Sequence, residues 1–599
     1  MKNQNKKMLE QAGILPPFPE SWIRSDPRKV EEFLSGMSVA EQARCVMQVR
    51  GRLRQDLLLL SPRAVEVARA LPPEEVYYMV KEIGEPDCLP ILSAISQAQL
   101  QYIFDLEWWR GDKFLPQRVG DWLALLEKCS EPKILHWLLD EDLDQVVAAL
   151  QALIKVYKND EMTDSYEGVE GLKKFSPDGI YDVFFKIPEV APALSKFLQI
   201  LCENHPNDFF TLMEAVIWFP VSPTLEKAYR WRLTRTAERG IPEFEEAHEI
   251  YSRLSPEALQ VKPAPPESFS DDGRYRVSPH YPVVQADAEC FFRRCLLLVR
   301  NEARLDAIRW ELVYLANKVM VADLRTPSDP RAQNEVVQKV MATVSIGLEL
   351  GSGNDTRKGA ALLENTWMQP LFQVGYGHLM NLKWQAEKLI KEHGPFLDRL
   401  LNENERDYLC ALVTYRVPMV REDWTEGKGE PQARHFESLQ ETRGAETFLR
   451  RLRFYVRFCK QCLNVTASDL DEILAACRYP AHPEDVNLLV LSATALARYA
   501  MFREVACRPL PPVAARTFLE LIFLPRIVKE EPGKCDDDIV RAFHEKLLDT
   551  PLAWTEEDKK FLQGLIAQCV QNLENQFGRI DLKSGINWKF TAGLCVGSE

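Results

Sequence analysis

Cys459-Lys-Gln-Cys462 is a C-x-x-C pair. Two thiols at this spacing carry out dithiol exchange when the first opens a helix after a strand, or hold zinc when a second pair completes the ligand set. Here the apolar stripe Phe448, Leu452, Tyr455, Val456 and Cys459 places the pair at the end of a helix, and only Cys477 lies near. Structural cysteines are the expectation, with metal or redox chemistry as the alternative. The stretch GSGNDTRKG, 351–359, resembles a phosphate loop in its glycines only. It lacks the closing Gly-Lys-Ser/Thr and joins two helical patterns, where a phosphate loop follows a strand. His378 has no second histidine or carboxylate four residues on, so it reads as a packed histidine. His544-Glu545 begins a zinc-protease motif whose last slot holds Leu548. No G-x-S-x-G is present. No catalytic residue, metal ligand or cofactor is expected.

The residue types suited to binding lie elsewhere. WWRGD, residues 108–112, offers Trp109, Arg110 and Asp112. Tryptophan and arginine are enriched in the energetic centres of protein interfaces. Arg230, Arg232, Arg235 and Arg239 form a second group, followed after Pro242 by Glu243, Glu245, Glu246 and Glu249. They offer a surface for an acidic partner, or pair with those glutamates across a turn at Gly240–Pro242. Arg450, Arg451, Arg453, Arg457 and Lys460 repeat that choice opposite an apolar stripe. Trp108, Trp109, Trp122 and Trp137 read as core, with an exposed Trp beside Arg110 as the alternative.

The elements that must carry WWRGD show one regularity. From Ser61 to Trp109 an apolar pattern returns every 12 residues. Its copies are Ala64, Val67, Ala68, Leu71; Val76, Met79, Val80, Ile83; Cys88, Ile91, Leu92, Ile95; and Leu100, Ile103, Phe104, where the last slot falls on Glu107. Each copy is one helical stripe, i, i+3, i+4, i+7. A period of 12 fits a helix of about ten residues and a short turn. Such helices are unstable alone and must stack, which predicts a small α-solenoid. Ser61-Pro62, Pro73-Glu74-Glu75, Gly84, Asp87 with Pro90, and Ser96 with Gln99 punctuate it as caps, first turns and stops. The leftover aromatic side chains include Tyr77, Tyr78 and Tyr102, expected on the free face.

Longer helical patterns follow, and no run of alternating strands, so the fold class is all-α. The expected organisation is a short-helix solenoid over 1–157, a second helical unit over 180–254, a linker at 255–282 with six prolines, a long-helix domain over 283–577, and a tail over 578–599. Residues 158–179 are polar and glycine-bearing and read as a boundary. Ala288–Asp323 reads as one helix.

The chain has 599 residues, 46% hydrophobic and 27% charged, with a formal net charge of −14. That balance argues against general nucleic-acid binding, which rests on neutralising phosphates. The N-terminus has no signal-peptide core, and no apolar run reaches a membrane span of about 20 residues. Fourteen scattered cysteines fit buried thiols in a reducing cytoplasm.

The segments ALPPEEVYYMVKEIG (70–84), LQYIFDLEWWRGD (100–112), AYRWRLTRTAERGIPEFEEAHEIY (228–251) and ELVYLANKVMVAD (311–323) together resemble an uncharacterised bacterial family, an all-helical domain of unknown function. That resemblance implies no activity. Residues 61–150 also resemble, in repeat style, the short-helix superhelix of magnesium-transporter N-termini and flagellar rotor switch proteins.

The expected function is a cytoplasmic α-helical scaffold that binds a protein partner through Trp109, Arg110, Asp112, Arg230, Arg232 and Arg235, without catalysis. One rival is an enzyme or small-ligand sensor with a pocket among the helices after 283. Another is a cation-responsive regulatory domain, which the transporter likeness and the acidic balance imply.

Overall fold

The computed structural model of the chain describes residues 16–129, 133–159, 166–259, 278–285, 290–325, 329–421, 433–480, 482–523, 533–580 and 586–598. The chain forms two compact units, Met1–Gly377 and His378–Glu599. Both are built of helices with small strand pieces, so the protein is predominantly all-α.

Unit 1 begins with α1 (Trp22–Ser25), α2 (Pro27–Ser35), α3 (Val39–Gln48) and α4 (Arg52–Leu59). The 12-residue pattern becomes α5 (Ala64–Ala70), α6 (Pro73–Ile83), α7 (Leu89–Ala94) and α8 (Gln97–Glu107). Its stripes are the core. Val67, Val76, Val80, Cys88, Ile91, Leu92, Ile95, Leu100 and Ile103 are fully buried. Helices pack on their next-but-one neighbours, α5 on α3 and α7, α6 on α8. Pro73-Glu74-Glu75 in the first turn of α6, the positive φ at Gly84 and Pro90 in the first turn of α7 are as expected. Ser61 and Pro62, by contrast, lie ahead of α5, which opens at Ala64 after Arg63. Ser96 and Gln99 cap α8 reciprocally, Gln99 N–H to Ser96 Oγ at 3.3 Å and Ser96 N–H to Gln99 Oε1 at 2.7 Å. Asp87 does otherwise: a 3₁₀ turn over Glu85–Cys88 precedes α7, and Asp87 pairs with Arg52 instead of capping.

At Glu107 the apolar stripe ends on a charge hub. Its buried carboxylate accepts from Tyr77 Oη at 2.7 Å and Lys81 Nζ at 3.2 Å, and pairs with Arg118. Arg118 lies on α9 (Pro116–Leu126), so one carboxylate joins α6, α8 and α9. Two cations and a phenol compensate the desolvation that a lone buried carboxylate would suffer. Between α8 and α9, WWRGD forms the hairpin β1 (Trp109–Arg110) and β2 (Lys113–Phe114).

After α10 (Lys133–Asp140) and α11 (Leu143–Leu153), a small sheet flanks and partly occupies the stretch expected as a boundary, 158–179. β3 (Ile154–Lys158), β4 (Lys173–Phe175) and β5 (Tyr181–Phe185) are antiparallel in the order β3-β5-β4, with Ile154 opposite Phe185. All five residues of β5 are buried. A short buried run of this kind has no period to distinguish it from a helical segment. Part of the boundary, 160–165, lies outside the described residues.

Helices α12 (Ala191–Asn204), α13 (Pro206–Trp218), α14 (Val221–Glu238) and α15 (Phe244–His248) follow. Of the expected linker, 260–277 lies outside the described residues. Its end does not: Ser278, His280 and Tyr281 are buried. The backbone N–H groups of His280 and Tyr281 both donate to Glu75 Oε1, the latter at 2.6 Å. Arg54 pairs with the other oxygen of Glu75 at 3.1 Å.

Beyond α16 (Tyr281–Gln285), the single helix expected over 288–323 is two, α17 (Phe291–Leu296) and α18 (Glu302–Ala322). Asn301 caps the second, its side chain accepting from Arg304 N–H. Next come α19 (Pro330–Ser352), α20 (Thr356–Asn365) and α21 (Met368–Leu400). The 351–359 stretch is the expected helix–helix connection, with Asp355 capping α20. Gly347 on α19 and Gly375 on α21 mark a close crossing. A Cβ on Gly347 would lie 1.9 Å from Leu371 O, and one on Gly375 2.0 Å from Thr343 O.

Unit 2 contains α22 (Glu403–Thr414), β6 (Met419–Arg421), β7 (Ala433–His435), α23 (Leu439–Gln461), α24 (Ala467–Ala476), β8 (Cys477–Tyr479), α25 (Leu488–Phe502), α26 (Pro512–Ile522), α27 (Asp537–Leu548), α28 (Glu556–Phe577) and β9 (Val596–Gly597). β6 pairs with β7, and the tail strand β9 pairs with β8. No described helix is long and apolar enough to cross a membrane.

Candidate functional site

The two groups of residues picked from sequence as binding surfaces lie together. Arg232 on α14 donates through Nε to Asp105 O at 2.7 Å and through Nη1 to Gly111 O at 3.1 Å. Its guanidinium stands 5.7 Å over the Trp109 ring and 5.9 Å over Tyr229. Trp109 also packs on Phe114 and Tyr229 and is buried. Arg235 grips Asp105 with two hydrogen bonds and reaches Gln145 Oε1 at 3.1 Å. Trp109, Arg232 and Arg235 therefore fasten the hairpin and α8 to α14. The counter-charge for Arg235 comes from Asp105, not from the glutamates after Pro242. Arg230 is exposed and pairs with Glu226 on its own helix. Arg110 and Asp112 stand exposed at the hairpin tip.

The tyrosines expected on a free face are not free. Tyr77, Tyr78 and Tyr102 are buried. Tyr78 stacks on Tyr281 at 4.6 Å, and its hydroxyl donates to Asn334 Oδ1 at 2.8 Å. Later segments of unit 1 cover that face of the repeats. The tryptophans pack as core: Phe104 stacks on Trp108 at 3.9 Å, with Trp122 and Trp137 edge-on to Phe104.

In unit 2 both thiols of the C-x-x-C pair lie inside the packing. Cys459 is buried, and burial pushes its thiol well above the usual range. Cys462 shares a hydrogen bond with Thr550 Oγ1 at 3.0 Å. His378 Nε2 meets Thr442 Oγ1 at 3.0 Å, and burial lowers the proton affinity of the ring. Among the described residues no three His, Cys, Asp or Glu side chains are grouped as a metal site.

The basic stripe of α23 divides. Arg450 pairs with Glu557 at 2.9 Å and Arg457 with Asp558, both at the start of α28. Arg451, one helical position on from Arg450, is placed differently. It lines a cleft of about 550 Å3 formed by α22, α23, α28 and Arg421 of β6. That volume is in the range of small-molecule sites. The walls are Tyr408, Phe448 and Phe561, with Asn404, Gln568 and Lys560 supplying polar groups.

Glu405 sits at the cleft's inner side. As the third residue of α22 it completes a capping box with Asn402: Asn402 N–H donates to Oε2 at 3.2 Å. Its other oxygen accepts from Tyr455 Oη at 3.3 Å and lies 3.5 Å from Arg451 Nη2. Burial pushes the Glu405 carboxyl above the usual range, against the pull of Arg451. Burial likewise raises the Tyr455 hydroxyl. The Arg451 contact is long, and its Nε is buried with no acceptor. Its guanidinium lies over the rings of Phe448 and Tyr455. The sequence offered Arg451 only as one of five basic residues. Glu405 carried no signal beyond a capping box, because the two are brought together by helix packing.

No curated protein and no solved structure matches the chain. The sequence pattern of a family of unknown function, DUF6178, matches residues 31–596, nearly the whole chain. The chain belongs to that family.

Proposed function

We propose that the protein binds a small anionic ligand in the unit 2 cleft and acts as a cytoplasmic helical sensor. Arg451 carries this reading. A guanidinium at the wall of a 550 Å3 cleft, loosely paired and with its Nε lacking an acceptor, is a fork for a carboxylate or phosphate. Lys560 and Arg421 add positive charge around it, although Arg421 is engaged with Asp407 at 2.8 Å. Tyr408, Phe448 and Phe561 suit an apolar or aromatic body on the same ligand. The test is mass spectrometry of small molecules released on denaturing the chain purified from its host. An anionic compound in stoichiometric amount is expected from the wild type and not from Arg451→Ala. Release of nothing, together with no thermal shift from a panel of phosphates and aromatic carboxylates, overturns the reading.

A second reading is a non-catalytic scaffold for a protein partner, the repeats forming a solenoid. It is favoured by Arg110 and Asp112, which project from a hairpin fastened by Trp109, Arg232 and Arg235. A photo-crosslinker at Arg110 tests it. Capture of one defined partner supports it, and absence of any crosslink in the host counts against it.

A further inference from the structure

Glu74 stands in the first turn of α6, where a carboxylate favours the helix dipole. Its side chain is 98% buried, and neither carboxylate oxygen has a hydrogen-bond partner. Both are acceptors whose lost water is offset only in part, through the charge of Arg239, an arrangement that costs folding free energy and is rare in native proteins. The nearest cation, Arg239 Nη1, stops 3.8 Å short of Oε1. The neighbouring carboxylate, Glu75, is already taken by Arg54 and by two backbone N–H groups.

Glu74 lines an interior cavity of about 40 Å3 within unit 1. This is room for a few waters or one small polyatomic ion. Four aromatic rings surround the same space, Tyr77, Tyr78, Tyr102 and Tyr281. Tyr78 and Tyr281 are stacked, and Tyr77 meets Tyr102 edge-on at 6.1 Å. The cavity also holds Gln333, whose Oε1 is buried without a donor. Every orphaned polar atom of the wall is therefore an acceptor, and the faces between them are π-surfaces.

We propose that this cavity is a binding site for ammonium or a short primary alkylammonium ion, held by Glu74 and Gln333 within the tyrosine box. Such an ion supplies N–H donors for the oxygens, a positive charge for the carboxylate, and a weakly hydrated body that aromatic faces attract. A magnesium or calcium ion fits poorly, because it draws on six or more oxygens and a single carboxylate lines the space. Potassium offers no N–H donor to the orphaned acceptors. Size excludes a quaternary ammonium. Burial pushes the Glu74 carboxyl above the usual range, so a proton and the cation compete for this carboxyl. This site is independent of the unit 2 cleft, and neither proposal stands on the other.

The experiment uses the full chain. Methylammonium chloride is titrated against sodium, potassium and tetramethylammonium chlorides at equal ionic strength, following melting temperature and binding heat. Methylammonium alone is expected to raise the melting temperature in a saturable way. Glu74→Gln should lower the affinity at least tenfold. Ala316→Leu, which fills the cavity from α18 and leaves the carboxylate in place, should do the same. Two variants keep the outcome readable where one fails to fold. No response from the wild type means a water-filled cavity and overturns the proposal. An equal response to potassium, or an unchanged response in whichever variants fold, also overturns it.

Discussion

Arg235 holds Asp105 in a two-pronged hydrogen bond, Nε to Oδ2 at 2.8 Å and Nη2 to Oδ1 at 2.6 Å, across 130 positions of the chain. Asp105 is buried on α8, and Arg235 comes from α14. Arg235→Ala leaves a buried carboxylate without its paired cation, with Gln101 Nε2 still donating to it at 3.0 Å, a loss of about 2–4 kcal/mol. Arg110→Ala, at the hairpin tip a few residues away, should leave the melting temperature unchanged. If a protein partner docks at the tip, the same change weakens it by at least about 1 kcal/mol. Thermal melting beside a binding titration separates the two arginines.

Ile91 is fully buried in the third repeat stripe. Ile91→Asp should destabilise unit 1 by about 3–5 kcal/mol, combining lost packing with a buried charge. Ala98→Asp, exposed in the first turn of α8, should be neutral or slightly stabilising through the helix dipole. Urea denaturation of both variants checks the 12-residue register.

The Gly347–Gly375 crossing should tolerate no side chain. Gly375→Ala forces α19 and α21 apart, because the added atom meets a backbone carbonyl and not a flexible side chain. A loss of about 3 kcal/mol or more is expected. Gly444 has open space around its Cβ position, and Gly444→Ala should be neutral or stabilising. Calorimetry of the two alanine variants measures the difference.

Glu74 predicts a pH dependence. Burial raises its carboxyl in the folded state, so the folded chain binds a proton that the unfolded chain releases. Its contribution to stability is therefore present below the unfolded value of 4.5 and is lost as pH rises towards the folded value. Glu74→Gln removes the charge, and should raise the melting temperature at neutral pH while leaving it nearly unchanged at pH about 4. Melting curves across that range provide the check. An increase at acid pH alone would contradict the sign.

Thiol accessibility divides the cysteines. Cys410 is exposed, whereas Cys459 is fully buried with its thiol pushed up. A maleimide at neutral pH should label Cys410 quickly and reach Cys459 only on unfolding. Peptide mapping after timed labelling reads both.

Local order determined much of unit 1 in advance. The stripes of α5 to α8 name their own buried residues, because a 3.6-residue period leaves one face for packing. The Ser96–Gln99 box and the all-helical class follow from the same short-range rules. Where the period carried no information, the sequence misled: β5 is too short and too uniformly apolar to show a strand alternation, and a capping Asn301 splits one long pattern into two helices. The functional candidates depend on partners distant in the chain, from 46 positions for Glu405 and Arg451 upward. Tyr78 looks free in the repeat and is buried because Tyr281 stacks on it. Arg232 looks like a docking residue and is a fastener because Gly111 and Asp105 offer it carbonyls. Glu405 and Arg451 meet only because α22 packs beside α23. Glu74 became an orphan only when Tyr281 and Gln333 closed over it. Helix periodicity reports which face is buried; it does not report what buries it. That second fact is set by tertiary packing, and here it decides where ligands and partners have room to bind.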